Sequence, residues 1–503
     1  MYYLKFRRLF TSIIFVVILL AGCSGNVEDT TPTFTVASPT AVIVEASATP
    51  VHTANPGAPG IGDSLYPNFG NGGYDVQHYT LDLTVNDVRT SDLDGMTTIE
   101  AVATQNLSSF NLDFIGFEIT DIKVNGQPAH FRRRGQELTI TPNAPLAQNE
   151  SFTIEVRYQG SPGAIRSVAP PIQGGWTTFE GGSFVFGEPE GAATFYPVND
   201  HPLDKASYVF RVTVAEPYEV AANGVLNEAL DNGETTTFVF EDQDPMASYL
   251  VTINIGEFDI ETSEAENGVP IRNYFPAGKS EEVSKFFARQ DEMIEYFSER
   301  FGHYPFDVYG AVVIDAEFGA ALETQTLSIF SIAIADSNDL EDAEQVIAHE
   351  LAHQWFGDSV SLADWRDIWL NESFATYAHA MWIEHTRGRE TLDAWVREVY
   401  GLVREHQQSL LPPGEPTADN LFNGSVYYWG ALCLHSLRLE VGDETFFEIL
   451  KQYHEQYKGG NATTSDFIAV AEEVSGRELN PFFDSWLYSD KLAPIPALGL
   501  GVK

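Results

Sequence analysis

The hydrophobic period of this chain changes near Lys279, and that change limits what each part can fold into. From about Tyr66 to Glu261, short runs alternate apolar and polar residues, as in Tyr79-Thr80-Leu81-Asp82-Leu83-Thr84-Val85, Phe152-Thr153-Ile154-Glu155-Val156 and Tyr208-Val209-Phe210-Arg211-Val212-Thr213-Val214. A period of two is the signature of strands with one buried face. Asn125-Gly126, Asn223-Gly224 and Asn232-Gly233 supply turn signals between runs, and no useful length of helical period interrupts them. This stretch predicts an antiparallel all-β domain. Arg132-Arg133-Arg134 before Gly135 reads as a solvated hairpin tip.

Beyond Lys279 the pattern is mostly helical. Ser280 followed by Glu281 and Glu282 predicts a helix start, with Val283, Phe286, Phe287, Ile294, Phe297 and Phe301 near one face. Further helices are expected at about Glu341 to Phe356, Asn371 to Thr386, Tyr427 to Val441, Glu444 to Tyr457 and Thr464 to Val474, with breaks at Pro412-Pro413 and Gly459-Gly460. With 503 residues, 44% of them hydrophobic, the chain can bury more than one core.

Charge narrows the partners. Lys plus Arg number 28 against 72 Asp plus Glu, a net charge of -44, which repels phosphate and excludes nucleic acid. Met1 to Cys23 runs from Lys5, Arg7 and Arg8 into an apolar stretch at Ile13 to Leu20 and then small residues, the layout of an export signal. Leu20-Ala21-Gly22-Cys23 resembles the lipobox of bacterial lipoproteins, which implies cleavage after residue 22 and a lipid on Cys23. From Ser24 to about Gly60 the composition is rich in Thr, Ala, Pro, Ser and Val without a period, and it reads as a flexible tether. Cys433, the other cysteine, reads as a small buried hydrophobe.

His349-Glu350-Leu351-Ala352-His353 is an HExxH pattern within a helical segment, so two imidazoles lie four apart on one face, a spacing suited to zinc. Chance would give about 0.04 such patterns in a chain of this composition. A catalytic zinc takes a third protein ligand. A metzincin would place glycine and histidine where Phe356 and Ser359 stand, so that class is excluded. Glu372, at the start of the next helical pattern, is the better candidate, although an acid in a first turn is often only a dipole partner.

His349 to His353 followed by Glu372, with the flanks Val346-Ile347-Ala348 and Gln354-Trp355-Phe356-Gly357-Asp358, resembles the zinc aminopeptidases of the aminopeptidase N family. Ala320-Ala321-Leu322-Glu323-Thr324 is similar to that family's G-A-M-E-N segment, which implies that Glu323 binds the substrate's free amino group. Thr324 in place of asparagine removes an amide from the local hydrogen bonding. Tyr427-Tyr428-Trp429-Gly430-Ala431 resembles the Y-E-K-G-A segment, with Trp429 in place of lysine, and implies that the Tyr427 phenol hydrogen-bonds a developing oxyanion. Phe186-Gly187-Glu188-Pro189 followed by Tyr196-Pro197 and Asp200-His201-Pro202 is similar to a Q-x-E-P and F-P-x-x-D-x-P run, making Glu188 a second amine anchor; Phe186 replaces the glutamine. Phe482-Phe483-Asp484-Ser485-Trp486-Leu487 resembles the close of the catalytic domain, so the large C-terminal helical domain of longer members is expected to be absent.

The resemblance implies a β-rich N-terminal domain followed by a thermolysin-like α+β, mainly helical catalytic domain. The expected layout is signal peptide 1–22, lipid-anchored linker 23–60, β-rich domain 61–265, catalytic domain 266–495 and tail 496–503. It further implies one Zn2+ per chain on His349, His353 and Glu372, with Glu350 as general base, Tyr427 at the oxyanion, and peptides with a free N-terminus as substrates. The protein would be exported and tethered to the bacterial membrane through Cys23. The sequence does not indicate an oligomeric state. Two other readings stay open: another metallohydrolase on this fold, such as an endopeptidase or epoxide hydrolase, and a non-catalytic peptide-binding surface lipoprotein.

Overall fold

The computed structural model describes residues 53–502 apart from 164, 167–168, 170–172 and 337–339. The signal peptide, Cys23 and most of the tether lie outside the described residues. Among the described residues, no helix is long and apolar enough to cross a membrane.

The alternating runs form strands whose apolar faces make the core. Tyr79, Leu81, Leu83 and Val85 all point inward from Tyr74–Asp87. That strand lies within an eight-stranded sheet ordered Val225–Asp231, Thr235–Met246, Ala206–Ala215, Tyr74–Asp87, Asp92–Ala103, Ser151–Gly160, Glu118–Val124 and Gln127–Pro128. Its pairs are antiparallel, with one exception where Ala206–Ala215 runs parallel to Tyr74–Asp87. The arginine run forms one arm of the hairpin His130–Arg134 and Glu137–Thr141, turned by Gly135 at φ 63°. Arg133 is not solvated at that tip: its guanidinium folds back over the Phe114 ring and donates to Gly116 O and Phe117 O.

A five-stranded sheet opens the second part. It is ordered Phe258–Glu264, Pro270–Pro276, Tyr309–Ile314, Ser328–Ser331 and Ala321–Leu322, so residues 265 and 266 lie inside its first hairpin. The longer helices among the described residues are α1 Gln290–Phe301, α2 Leu340–Ala352, α3 Trp369–Arg387, α4 Arg389–His406, α5 Gly430–Val441, α6 Asp443–Tyr457, α7 Thr464–Ser475 and α8 Asn480–Leu487.

Three further details differ from the sequence expectation. The helix expected from Ser280 is a single turn, Ser280–Val283, then a 3-10 turn, and only at Gln290 does α1 begin. The Ser280 hydroxyl donates to Glu261 and so caps nothing, while the Gln290 amide oxygen accepts from Asn273. Strands Tyr309–Ile314 and Ser328–Ser331 occupy a stretch read as mostly helical. Both are buried throughout, so no alternation marks them. Helix α4 was not anticipated, although Leu392, Val396, Val399, Tyr400 and Val403 repeat at helical spacing on its buried face.

A strap just beyond the tether ties the two parts together. Asp63 Oδ2 accepts from Trp365 N at 2.8 Å and lies 3.2 Å from His201 Nε2, while Oδ1 accepts from Leu65 N and Tyr66 N. Leu203 N donates to His201 Nδ1, so Nε2 carries the imidazole proton and donates to Asp63. Ser64 donates through N and Oγ to Asp364, and Tyr66 OH donates to Ala418 O. Burial opposes the Asp63 charge, but His201 and the Trp365 and Tyr66 N–H groups outweigh it and hold the carboxyl below its ordinary range. This stabilisation is present above the ordinary carboxylate range and is lost as the pH falls through the depressed folded value. Asp63→Ala should cost roughly 3 kcal/mol in chemical unfolding at pH 7 by orphaning these donors; an unchanged midpoint would contradict the role given to the strap.

Candidate active site

Helices α2 and α3 pack against each other and carry buried alanines, Ala348, Ala352, Ala375 and Ala378, that leave room for close approach. One turn of α2 separates His349 from His353, and their Nε2 atoms lie 3.1 Å apart. Glu372 stands in the first turn of α3 with Oε2 3.3 Å from His349 Nε2 and 3.6 Å from His353 Nε2. His353 Nδ1 lies 3.1 Å from Phe356 O. A carbonyl only accepts, so Nδ1 carries the proton and the Nε2 lone pair faces the cluster.

The donor atoms of His349, His353 and Glu372 all lie within 4.8 Å of one another. Glu372 Oε2 is buried without a well-formed hydrogen bond. Two imidazole nitrogens and one carboxylate oxygen, with a lone pair and an orphaned oxygen aimed inward, fit a catalytic zinc.

Negative charge is concentrated around this triad. Glu188, Glu323, Glu350 and Asp358 are all buried, and no hydrogen bond reaches Glu188 Oε1, Glu323 Oε1 or either carboxylate oxygen of Asp358. Burial pushes the Glu188, Glu323, Glu350 and Asp358 carboxyls up, and their mutual repulsion adds to it. Burial opposes a charge at His353, yet Glu323, Glu372 and Glu350 outweigh it and raise the affinity of Nε2 for a cation, proton or metal ion alike. The Glu372 carboxylate is held down at about 2 against burial by the two imidazoles. The pocket favours positive charge.

The remaining residues are brought in by close backbone contacts. Glu323 follows the edge strand Ala321–Leu322, and Gln354, next to His353, clamps its turn: Gln354 Nε2 donates to Glu323 O at 2.9 Å and Oε1 accepts from Thr326 N at 2.8 Å. Thr324 closes the same turn by donating to Leu327 O, so replacing asparagine there does not leave the turn open. The expected turn at Asn223-Gly224 supports it from the β-rich part, with Asn223 Nδ2 donating to Gln325 O and Gly224 N to Thr326 Oγ1. Glu188 is placed by Gly187, where a Cβ would lie 2.3 Å from Tyr249 O. Phe186 turns toward Phe318 in an aromatic cluster with Phe184.

Tyr427 lies in a π-helical turn, Ser425–Trp429, that leads into α5, and its ring faces His349 at 6.1 Å and 20°. Gly430 lets this turn dock on α3, since a Cβ there would lie 1.7 Å from Ser373 Oγ. Burial pushes the Tyr427 phenol well up, and Glu372 adds to the effect, so it is a neutral donor. The structure thus brings His349, Glu350, His353, Glu372, Glu323, Glu188 and Tyr427 to one place. Sequence reasoning quoted Gln354 and Asp358 only as flanks and passed over His379, whose ring lies 6.0 Å from His349 against Trp395. The seven-residue step from Glu372 to His379 on α3 is the only signal that could have found it.

Elemental analysis after zinc loading should find one zinc per chain, and Glu372→Gln should weaken its retention against a chelator by at least about tenfold. Unchanged retention would remove Glu372 from the ligand set.

Residues 75–250 match the Peptidase M1 N-terminal domain, and residues 287–486 match the Peptidase family M1 domain. Curated relatives include a protein named Aminopeptidase N from Streptomyces lividans, 30% identical over 57% of this chain and 36% of its own length. Another is Probable aminopeptidase 1 from Sulfurisphaera tokodaii, 28% identical over 75% of this chain and 49% of its own. The chain therefore spans about half, or less, of these relatives' length. Among solved structures, a mutant M1 zinc metallopeptidase from Deinococcus radiodurans bound to a Tyr-Ser-Ala substrate is 32% identical with a TM-score of 0.79, covering 87% of this chain and 99% of its own. A mutant two-domain M1 zinc metallopeptidase bound to L-tryptophan aligns with the same TM-score at 33% identity, over 87% of this chain and 99% of its own. With both halves matched and a relative of this identity covered end to end, the chain belongs to peptidase family M1, a family of zinc metallopeptidases.

Proposed function

We propose that this protein is a zinc-dependent aminopeptidase that removes N-terminal residues from peptides. The observation that carries the reading is the placement of Glu323 and Glu188, each buried with an oxygen lacking a hydrogen bond, beside the His349, His353 and Glu372 triad. Zinc held by that triad would supply Lewis-acid polarisation of an amide carbonyl and acidify water. Two buried carboxylates next to it suit a substrate ammonium group, and holding that group places the first peptide bond at the triad.

Glu350 sits on α2 between the two histidines with its carboxyl pushed up by burial, which suits a group that takes a proton from water and passes it to the leaving amine. The neutral Tyr427 phenol donates to the oxygen on which negative charge develops. Gln354 keeps the amine anchor in register with the histidines. The acid-rich pocket favours substrates that bring a cation with them, which supports an exopeptidase over an endopeptidase. A binding protein would have no use for Glu350 and Tyr427 in these places.

Residues 1–23 carry a further part of this reading: export, and attachment to the bacterial membrane through lipid on Cys23. Metabolic labelling with a radioactive fatty acid should mark the unaltered protein but not Cys23→Ala, and equal labelling would remove the anchor.

Glu350→Gln should lower kcat on an aminoacyl amide by at least about a hundredfold while zinc stays stoichiometric. Glu323→Gln should lower kcat/KM on the same substrate by at least about tenfold. Turnover retained in Glu350→Gln would remove the proposed base.

A further inference from the structure

The loop that follows α2 determines how His353 faces the cluster. Phe356 O fixes the imidazole tautomer, Asp358 N donates to His353 O at 3.0 Å, and Gly357, at φ 136°, brings the chain so close that a Cβ there would lie 3.3 Å from His353 Nδ1. Two carbonyls of this loop, those of Asp358 and Ser359, accept hydrogen bonds from one side chain that comes from the other half of the chain. Lys205 immediately precedes the strand Ala206–Ala215 of the large sheet, and its Nζ donates to Asp358 O at 2.7 Å and to Ser359 O at 3.1 Å.

We propose that Lys205 is a positioning residue for the zinc site, its amino group gathering the Asp358 and Ser359 carbonyls so that the loop holds the His353 imidazole in register. The inference rests on the reading of His349, His353 and Glu372 as a zinc triad. The loop is also tied at its far end, where Ser361 and Leu362 pair with Asn461 and Ala462, and at the same carbonyls by neutral donors. Ser361 Oγ also donates to Asp358 O and to Gly357 O, and Gly459 N also donates to Ser359 O. Lys205 joins both carbonyls, which the neutral donors do not. Asp358, next to it, is the one buried carboxyl here with both oxygens unbonded, and its pull only partly offsets the burial that pushes the Lys205 amino group down to about 7. An arrangement serving only to join two domains has no need to end five and six residues beyond a metal ligand.

Lys205 also lines a surface cavity of about 320 Å³ together with Asp75, Gln77, Ser207, Gln243 and Asn461. A small alkylammonium ion can therefore reach the place of a shortened side chain.

The test uses the full chain loaded with zinc and reads zinc release to a chromogenic chelator without substrate. Lys205→Met, close to lysine in volume, should release zinc at least about tenfold faster. Its kcat should fall by a similar factor with KM within twofold, and its circular dichroism should be unchanged. In Lys205→Ala, n-propylammonium should slow the release again by at least threefold, whereas a role confined to joining the domains predicts no such rescue. If Lys205→Met does not fold, Lys205→Gln, which keeps an N–H donor without the charge, should release zinc about threefold faster. Release from the folded variant within twofold of the unaltered rate, or no slowing by propylammonium, would overturn the proposal. Because release is read without substrate, a protein that holds zinc yet cleaves no aminoacyl amide would overturn the proposed activity and leave the Lys205 result intact.

Discussion

The rest of this structure depends on the concentration of buried negative charge at one point. Glu188, Glu323, Glu350, Glu372 and Asp358 surround two imidazoles with almost no exposure to water. Buried carboxylates without partners are costly, and the cost falls only when cations or protons come among them. A metal ion at the triad and the ammonium of a peptide at Glu323 and Glu188 are the two cations that the proposed function brings to this cluster. On this account, binding and chemistry share a cause: the substrate amine supplies charge that the pocket lacks.

Holding that many like charges together requires support from both halves of the chain. The strap at Asp63 joins His201 to Trp365. Asn223 and Gly224 reach across to the Glu323 turn, and Lys205 reaches the loop beyond His353. Within the helical part, Gln354, just past the end of α2, links the His353 segment to the Glu323 turn, and the close contact of Gly430 with Ser373 sets the Tyr427 turn on α3. The β-rich part thus completes the site and does not merely precede it.

Some of this was legible in the sequence for plain physical reasons. Residues four apart on a helix share a face, so His349 and His353 could be paired directly, and period-two runs such as Tyr79 to Val85 had to be strands with one buried side. Glu323, Glu188 and Tyr427 carry no local signal of their role. An isolated acid or phenol has the same local appearance on a surface, and only the resemblance of their flanks singled them out. Tyr309–Ile314 was hidden because a strand buried on both faces loses its alternation, and the break before Gln290 was hidden because Val283, Phe286 and Phe287 stay buried across it. Gln354 and Lys205 act through backbone carbonyls and N–H groups, which no side-chain pattern encodes.

The most direct test of the central claim asks whether the substrate's ammonium is required. The zinc-loaded protein would be given a panel of aminoacyl fluorogenic amides and the same amides N-acetylated, and kcat/KM compared pair by pair. The account predicts that the free-amine set is favoured by at least about a hundredfold. Cleavage of both sets at similar rates would contradict it and point to an endopeptidase, and cleavage of neither with zinc bound would point to a peptide-binding protein.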